Sequence, residues 1–403
     1  MELFWLEHKK LWRKKIVKIC VLLCFVYCVI FGSILSFQWF CFGSSDDYTS
    51  AFGNNFDGYT VIKDSQEYAL SFGGELTDET LQKIVSDYQQ MEADGMEEEL
   101  EKTDWQIVNS WLGTLYPELR DTSNYKTMIS YVDPDKLTGF YERRQQVLDE
   151  FLEVSGQVGA EKEFLHQIER KVEKPFHYEW VEGWSTLLGS TVADLGVVMA
   201  LFLGIVLSSL FAGEWHDNTS TLVLTTRNGW GKIALAKILT GLAFTVELFA
   251  LLAVSSVISQ LFFMGTAGWD MPIQNIKLIA VAPMNMLQAE IYEYAFVLLG
   301  AIGFAGIVMF ISAAVKNNVL TLLLSLAVVY GPMMIAEYLP YKMQKALDLI
   351  PLVGSSTDIF RTNTFRILGK LIWSPYLLIT IPVLIGILCM PFAIKSWSRR
   401  MKA

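Results

Sequence analysis

The chain has 403 residues, of which 52% are hydrophobic and 18% charged. A soluble domain carries roughly a quarter charged residues, so the composition excludes an ordinary water-soluble enzyme and points to a membrane protein. The net charge is -10, and no nucleic-acid partner is expected.

Residues 1–15 are basic ("EHKKLWRKK") and carry Phe4, Trp5, Leu11 and Trp12. They read as an amphipathic helix lying at a membrane surface. Crossing a bilayer takes roughly 20 apolar residues. Six stretches qualify: 16–42, 187–211, 233–264, 294–315, 319–337 and 375–394. The first is too long for a signal-peptide core and no small-residue cleavage site follows it, so it reads as an uncleaved span. Lys and Arg crowd both termini and the segments after the second and fourth spans. The positive-inside rule therefore places both ends in the cytoplasm.

The segment 43–185 then lies outside. It is rich in Asp and Glu, which suits a solvated surface or the attraction of a cationic ligand. Its apolar residues recur at helical spacing. Leu81, Ile84, Val85 and Tyr88 share one face, and Trp105, Val108, Trp111, Leu112 and Leu115 another. Thr103 and Gln106 have the spacing of a capping box. Asp133 and Pro134 are expected to open a third helix whose face is Leu137, Tyr141, Leu148, Phe151 and Leu152, closed by Gly156. A fourth spans about 160–173 and ends before Pro175. The expected fold is an all-α polytopic membrane protein, with six transmembrane helices and a mainly helical extracellular domain.

The five cysteines (Cys20, Cys24, Cys28, Cys41 and Cys389) sit in or beside the spans. The exterior domain is therefore expected to fold without disulfides, and the cysteines read as packing residues. The four histidines are scattered, and there is no H-E-x-x-H, G-x-S-x-G or G-x-x-x-x-G-K-[ST]. No catalytic set or metal site is expected, so the chain does not read as an enzyme. If ATP is used, another chain binds it.

The longest cytoplasmic link, 212–232, holds "GEWHDNTSTLVLTTRNGWGK". Leu222, Val223 and Leu224 form an apolar centre between cap-forming and charged residues: Glu214, Thr219, Thr225 and Arg227. This pattern resembles the first cytoplasmic loop of type-2 ABC exporter permeases, the ABC-2 class. There an acidic residue, a Thr-containing turn, a short apolar helix and basic residues lead into the third span. Asn218 stands where the family often has Gly, and the Pro frequent before the Arg is absent. The basic N-terminal helix, the turn at 312–325 and the segment "YLPYKMQKALDLIPLVGSS" agree with the class, the last resembling exterior re-entrant helices within 338–374. The inserted exterior domain lies outside the resemblance.

The resemblance implies a permease subunit of an ATP-binding cassette exporter in a bacterial cell membrane. It would move a peptide, lipid or drug outward. Its partners would be a cytoplasmic ABC ATPase, which holds the ATP and Mg, and a second permease copy or paralogue. No cofactor is expected on this chain. The stretch 212–232 would then be the ATPase-coupling element. The alternative is a non-transporting sensor whose exterior domain binds a ligand and signals inward. Glu247, about fourteen residues into the third span, is expected roughly 20 Å deep. There it would either pack by hydrogen bonds or form a polar point on the substrate path or dimer seam. Asp194 falls near the outer end of span two.

Overall fold

A computed structural model describes residues 2–29, 66, 73–96, 105–121, 126–217, 219, 231–353 and 363–399. The protein is mostly helical, and five described helices are long and apolar enough to cross a membrane.

Helix α1 (Glu2–Arg13) bends at Lys14 into α2 (Lys15–Val29). Leu11 is buried, Phe4, Glu7, His8 and Trp12 are partly covered, and Trp5, Leu6, Lys9 and Arg13 face outward. The split follows three- and four-residue spacing, and Trp5, grouped in the sequence with Phe4, Leu11 and Trp12, lies on the outward face. Of the expected span 16–42, the part to Val29 is helical, and 30–42 lies outside the described residues.

The domain between α2 and the long helices, expected outside the membrane, comprises β1 (Gly74–Leu76), α3 (Asp78–Ala93), α4 (Trp105–Leu115), α5 (Phe140–Val154), α6 (Ala160–Glu169) and β2 (Phe176–Tyr178). Thr77 caps α3, its hydroxyl accepting from the Thr80 N–H at 3.2 Å. Trp111 sits at the centre of the core, edge-on to Tyr178 and Phe140. The proposed Thr103 cap lies outside the described residues. Strands β1 and β2 pair antiparallel, Leu76 opposite Phe176, and join the two ends of the domain.

Two expectations need correction here. Asp133 and Pro134 open only a 3₁₀ turn, Pro134–Lys136. Gly139, at φ +71°, then reverses the chain, and α5 starts at Phe140. The Asp78 carboxylate accepts from the Gly139 and Phe140 N–H groups at 2.7 and 2.9 Å, and so caps α5 from another element. The buried face of α5 is Phe140, Arg144, Leu148 and Leu152, while Phe151 is exposed. Gly156 closes the helix as expected, at φ +72°.

After α7 (Glu182–Thr186) and a π turn at Leu187–Thr191 come the long helices α8 (Val192–His216), α9 (Lys232–Met264), α10 (Met286–Ala314) and α11 (Asn318–Ala336). Then follow α12 (Tyr341–Leu347), β3 (Thr364–Ile367), β4 (Lys370–Trp373) and α13 (Ser374–Arg399). Helix α8 runs five residues past the expected end of span two and carries Glu214 within it. Helix α10 begins eight residues before the expected start of span four. Asn285 and Gln288 form a reciprocal capping box there, and the two acids that follow do not end the helix. Among the described residues of 338–373, α12 is helical, and β3 and β4 form an antiparallel hairpin turning at Leu368–Gly369. Both turn residues have positive φ, which suits a two-residue hairpin.

Helix α10 is the hub of the bundle. Gly303 and Gly306 lie so close to Pro382 and Gly386 of α13 that a Cβ at either glycine would strike backbone. Small residues permit this approach where the solvent offers no hydrophobic driving force. The Ser312 hydroxyl donates to the Ser208 carbonyl at 2.7 Å and ties α10 to α8.

Candidate functional site

The inner ends of α8 and α9 flank the segment 220–230, and both are tied to α1. Glu214, 4% exposed, accepts through Oε1 from the Nζ of Lys10 at 2.5 Å and of Lys237 at 2.9 Å. Its Oε2 accepts from the Thr219 hydroxyl. Lys237, 2% exposed, also donates to Glu7 Oε2 at 2.8 Å and to the Leu210 carbonyl at 3.1 Å. One buried ammonium thus spends its three donors on α1, on the side chain of α8 and on the backbone of α8. A buried charge persists only when partnered this way.

Beside this cluster Lys14 donates to the Ser209 hydroxyl at 3.0 Å and has no carboxylate of a described residue within ion-pair reach. Glu7, Lys10, Lys14, Ser209, Glu214 and Asp217 line a small crevice here. Burial, with Lys237 and Lys10 close by, pushes the Lys14 ammonium below the usual lysine range. At Lys10 burial acts the same way, but the Glu214 hydrogen bond and charge, with Glu7, outweigh it and raise the value.

Two of the sequence-predicted coupling residues, Glu214 and Thr219, meet in this cluster. The others, Leu222, Val223, Leu224, Thr225 and Arg227, lie outside the described residues, as does Asn218. The sequence reading left Lys10, Lys14 and Glu7 out of the site. The signal was present as a basic helix with one embedded acid, but its partners are more than 190 positions away in the chain.

Glu247 hydrogen-bonds to the N-terminal helix. Its side chain is 42% exposed and lies against α1, 3.0 Å from Trp12 Nε1 and 3.2 Å from His8 Nε2. Trp12 also meets Phe244 edge-on. Helix α9 has 33 residues, about 50 Å of helix, whereas a bilayer core of about 30 Å takes roughly 20 residues.

A second pair of acids was missed altogether. Glu290 and Glu293, one helical turn apart on α10, are both buried. Neither accepts a hydrogen bond of normal geometry from a described residue, though Tyr294 adjoins Glu290. The sequence reading began span four at 294, and so set both acids in a loop.

At the opposite end of the bundle, Arg144 joins the inserted domain to the α9–α10 connection. Fully buried, it donates to the Leu278 and Ala280 carbonyls at 2.7 and 3.1 Å and to Glu169 at 2.6 Å. Trp111 Nε1 donates to the Asn275 carbonyl at 2.9 Å, and Asn275 Nδ2 to the His177 carbonyl at 2.8 Å. Lys174 adds a second cation to Glu169 at 2.9 Å.

No family model, curated protein or solved structure matches this chain. The functional reading therefore rests on the sites themselves. Among the described residues, no group of three or more His, Cys, Asp or Glu side chains is placed to hold a metal ion. What the inner cluster can do is mechanical: it makes α1, α8 and α9 answer together to any force on the segment between α8 and α9.

Proposed function

We propose that this protein is the membrane-spanning permease subunit of an ATP-driven exporter of the ABC-2 kind. The ATP and Mg would sit on a separate cytoplasmic ATPase, and a second permease copy or paralogue would complete the complex. The observation that carries this reading is the ion cluster of Glu214, Lys237, Lys10 and Glu7. It clamps the two helices flanking 220–230 to each other and to the N-terminal helix. A partner seated on that segment would move three elements at once, as coupling ATP hydrolysis to a membrane bundle requires.

The test is a Leu222→Asp change. A charge placed in an apolar docking surface is costly, whereas on a solvated loop a substitution changes stability by less than about 0.5 kcal/mol. The variant is expected to insert and fold but to lose co-purification with its ATPase and the ATPase activity of the reconstituted complex. If both survive, the segment does not couple. Orientation in a bacterial cell membrane is read by impermeant thiol labelling of intact cells. Cysteine at Ser123 is expected to react and cysteine at Lys402 to stay protected.

A sensor of an exterior ligand is the second reading. It is favoured by the Arg144 junction, which ties the exterior domain to the chain leading into α10. A histidine-kinase partner without ATPase activity would decide for it.

A further inference from the structure

Helix α1 presents two kinds of side chain on its uncovered face. Trp5 and Leu6 are apolar and more than 60% exposed, and Lys9 and Arg13 are cationic and exposed. All four fall on one side of a 3.6-residue helix, opposite Leu11. Just past the bend, Lys15 and Lys18 continue the row of exposed cations, beside exposed Ile16 and Ile19. Lys9, Arg13, Lys15 and Lys18 form no ion pair with a described residue, although acids are common in this chain. At the end of the row Lys14 points into the crevice with only the Ser209 hydroxyl as partner, which leaves two of its three N–H donors unspent.

We infer that the outer face of α1 and the Lys14 crevice bind the phosphate headgroups of anionic lipids in the leaflet at the basic end of the molecule. The indole and the aliphatic side chains sink beneath the headgroups, where amphipathic rings are favoured. The cations then meet phosphate at the surface, and Lys14 with Ser209 takes one phosphate into the crevice. The charge count decides between occupants. Residues 2–18 hold six cations against two carboxylates; with Lys10 paired to Glu214 and Glu7 to Lys237, five cations stand against one carboxylate. An acidic protein helix would satisfy the cations but leave Trp5 and Leu6 beside charge, whereas an anionic lipid supplies acyl chain and phosphate together. The inference stands apart from any ATPase, since it needs only the helix, its bend and a bilayer.

The test uses the purified full-length protein in neutral detergent. Thermal melting is followed with added phosphatidylglycerol, with phosphatidylcholine, and with inorganic phosphate at matched concentration. Phosphatidylglycerol is expected to raise the midpoint, and the other two are not. Native mass spectrometry is expected to retain phosphatidylglycerol in preference to phosphatidylcholine. Each exposed cation replaced by glutamine (Lys9→Gln, Arg13→Gln, Lys18→Gln) is expected to weaken retention by about fivefold. Midpoints without lipid should not change, because these side chains form no ion pair with a described residue. Lys14→Gln is expected to lose the most tightly held lipid. Equal shifts with both lipids would overturn the inference. So would full retention by the triple variant, and a shift produced by inorganic phosphate alone would make this a site for soluble anions instead. Should the triple variant melt early without lipid, Lys9→Gln alone carries the test, and unchanged retention by it defeats the proposal.

Discussion

The two charged junctions of this molecule differ in what the charge is bonded to. At the outer junction Arg144 is fully buried and donates twice to backbone carbonyls as well as to Glu169. Carbonyls cannot swing away, and a planar guanidinium fits them in only one orientation. The inner cluster is built almost wholly of flexible Lys and Glu side chains, and Lys10 keeps about half its surface in solvent. Lysine is a point charge on a rotatable stem that can exchange acceptors. The Arg144 junction is a weld and the Lys–Glu one a clasp, so motion at the α1 end is easier than motion of the domain that carries Arg144.

The largest test of the contrast is Arg144→Ala. It leaves the Leu278 carbonyl and part of a carboxylate without donors in a buried site, while the Ala280 carbonyl keeps Gln274, and breaking a buried ion pair from one side costs about 3–5 kcal/mol. Because Lys174 still reaches Glu169, the lower end of that range is expected. Amide exchange should accelerate across 140–154 and 273–285 together. A loss confined to one of these segments would mean that the junction is no weld.

Lys237→Met should cost less, about 1.5–3 kcal/mol, the range for hydrogen bonds to charged groups, since Glu214 keeps Lys10 and Thr219. The double variant with Glu214→Gln should fall short of the summed single effects by at least about 0.5 kcal/mol, because the residues share one network. Strict additivity, or a cost matching that of Arg144→Ala, would erase the distinction between the junctions.

The junctions should also fail at opposite ends of the pH scale. Burial alone would raise the Glu169 carboxyl, but Lys174 and Arg144 overcome it and hold it below the usual carboxylate range. A depressed carboxyl stabilises above its unfolded value of about 4.3 and loses that contribution as pH falls through the folded value. Lys10 is raised, so its contribution is complete below about 10.4 and is lost as pH rises through the folded value. Acid should therefore loosen the exterior domain first and alkali the N-terminal helix, as read by amide exchange at each. Glu247→Gln should have the smallest effect, within about 0.5 kcal/mol, since a glutamine oxygen still accepts from Trp12 at a partly wet site. A large loss of stability there would mean that the carboxylate charge matters.

The helices were legible where apolar residues recur at one spacing without interruption. The faces built on Leu81 and Val85 and on Trp111 and Leu112 are buried as read. Interrupted patterns misled. Asp133 and Pro134 have the chemistry of a helix start, but Gly139 resets the chain, and the cap that serves α5 comes from Asp78, 61 residues earlier. Glu290 and Glu293 marked a loop by composition, yet the capping box at Asn285 carries the helix through them. The re-entrant helices within 338–374 came from the resemblance of "YLPYKMQKALDLIPLVGSS" alone; α12 ends at Leu347, and the hairpin β3–β4 follows where no strand was expected. Within the site, Glu214 and Thr219 were found because they are near each other in sequence. Their partners were not, because a basic helix at residue 10 carries no mark of which distant acid it meets.

One feature of α5 bears on how this chain can be handled. Leu148 and Leu152, with Leu165 of α6, are fully buried, and they belong to the core of the membrane helices rather than to the core around Trp111. The exterior domain thus has a floor that is not its own. A fragment cut at residues 73 and 178 and produced alone would present three bare leucines and an uncovered Arg144 to water, and it is expected to self-associate. A soluble version for raising antibodies or screening ligands needs that floor repainted with polar residues at 148, 152 and 165. It also needs the 273–285 strip supplied as a tethered peptide, to give the arginine its carbonyls back.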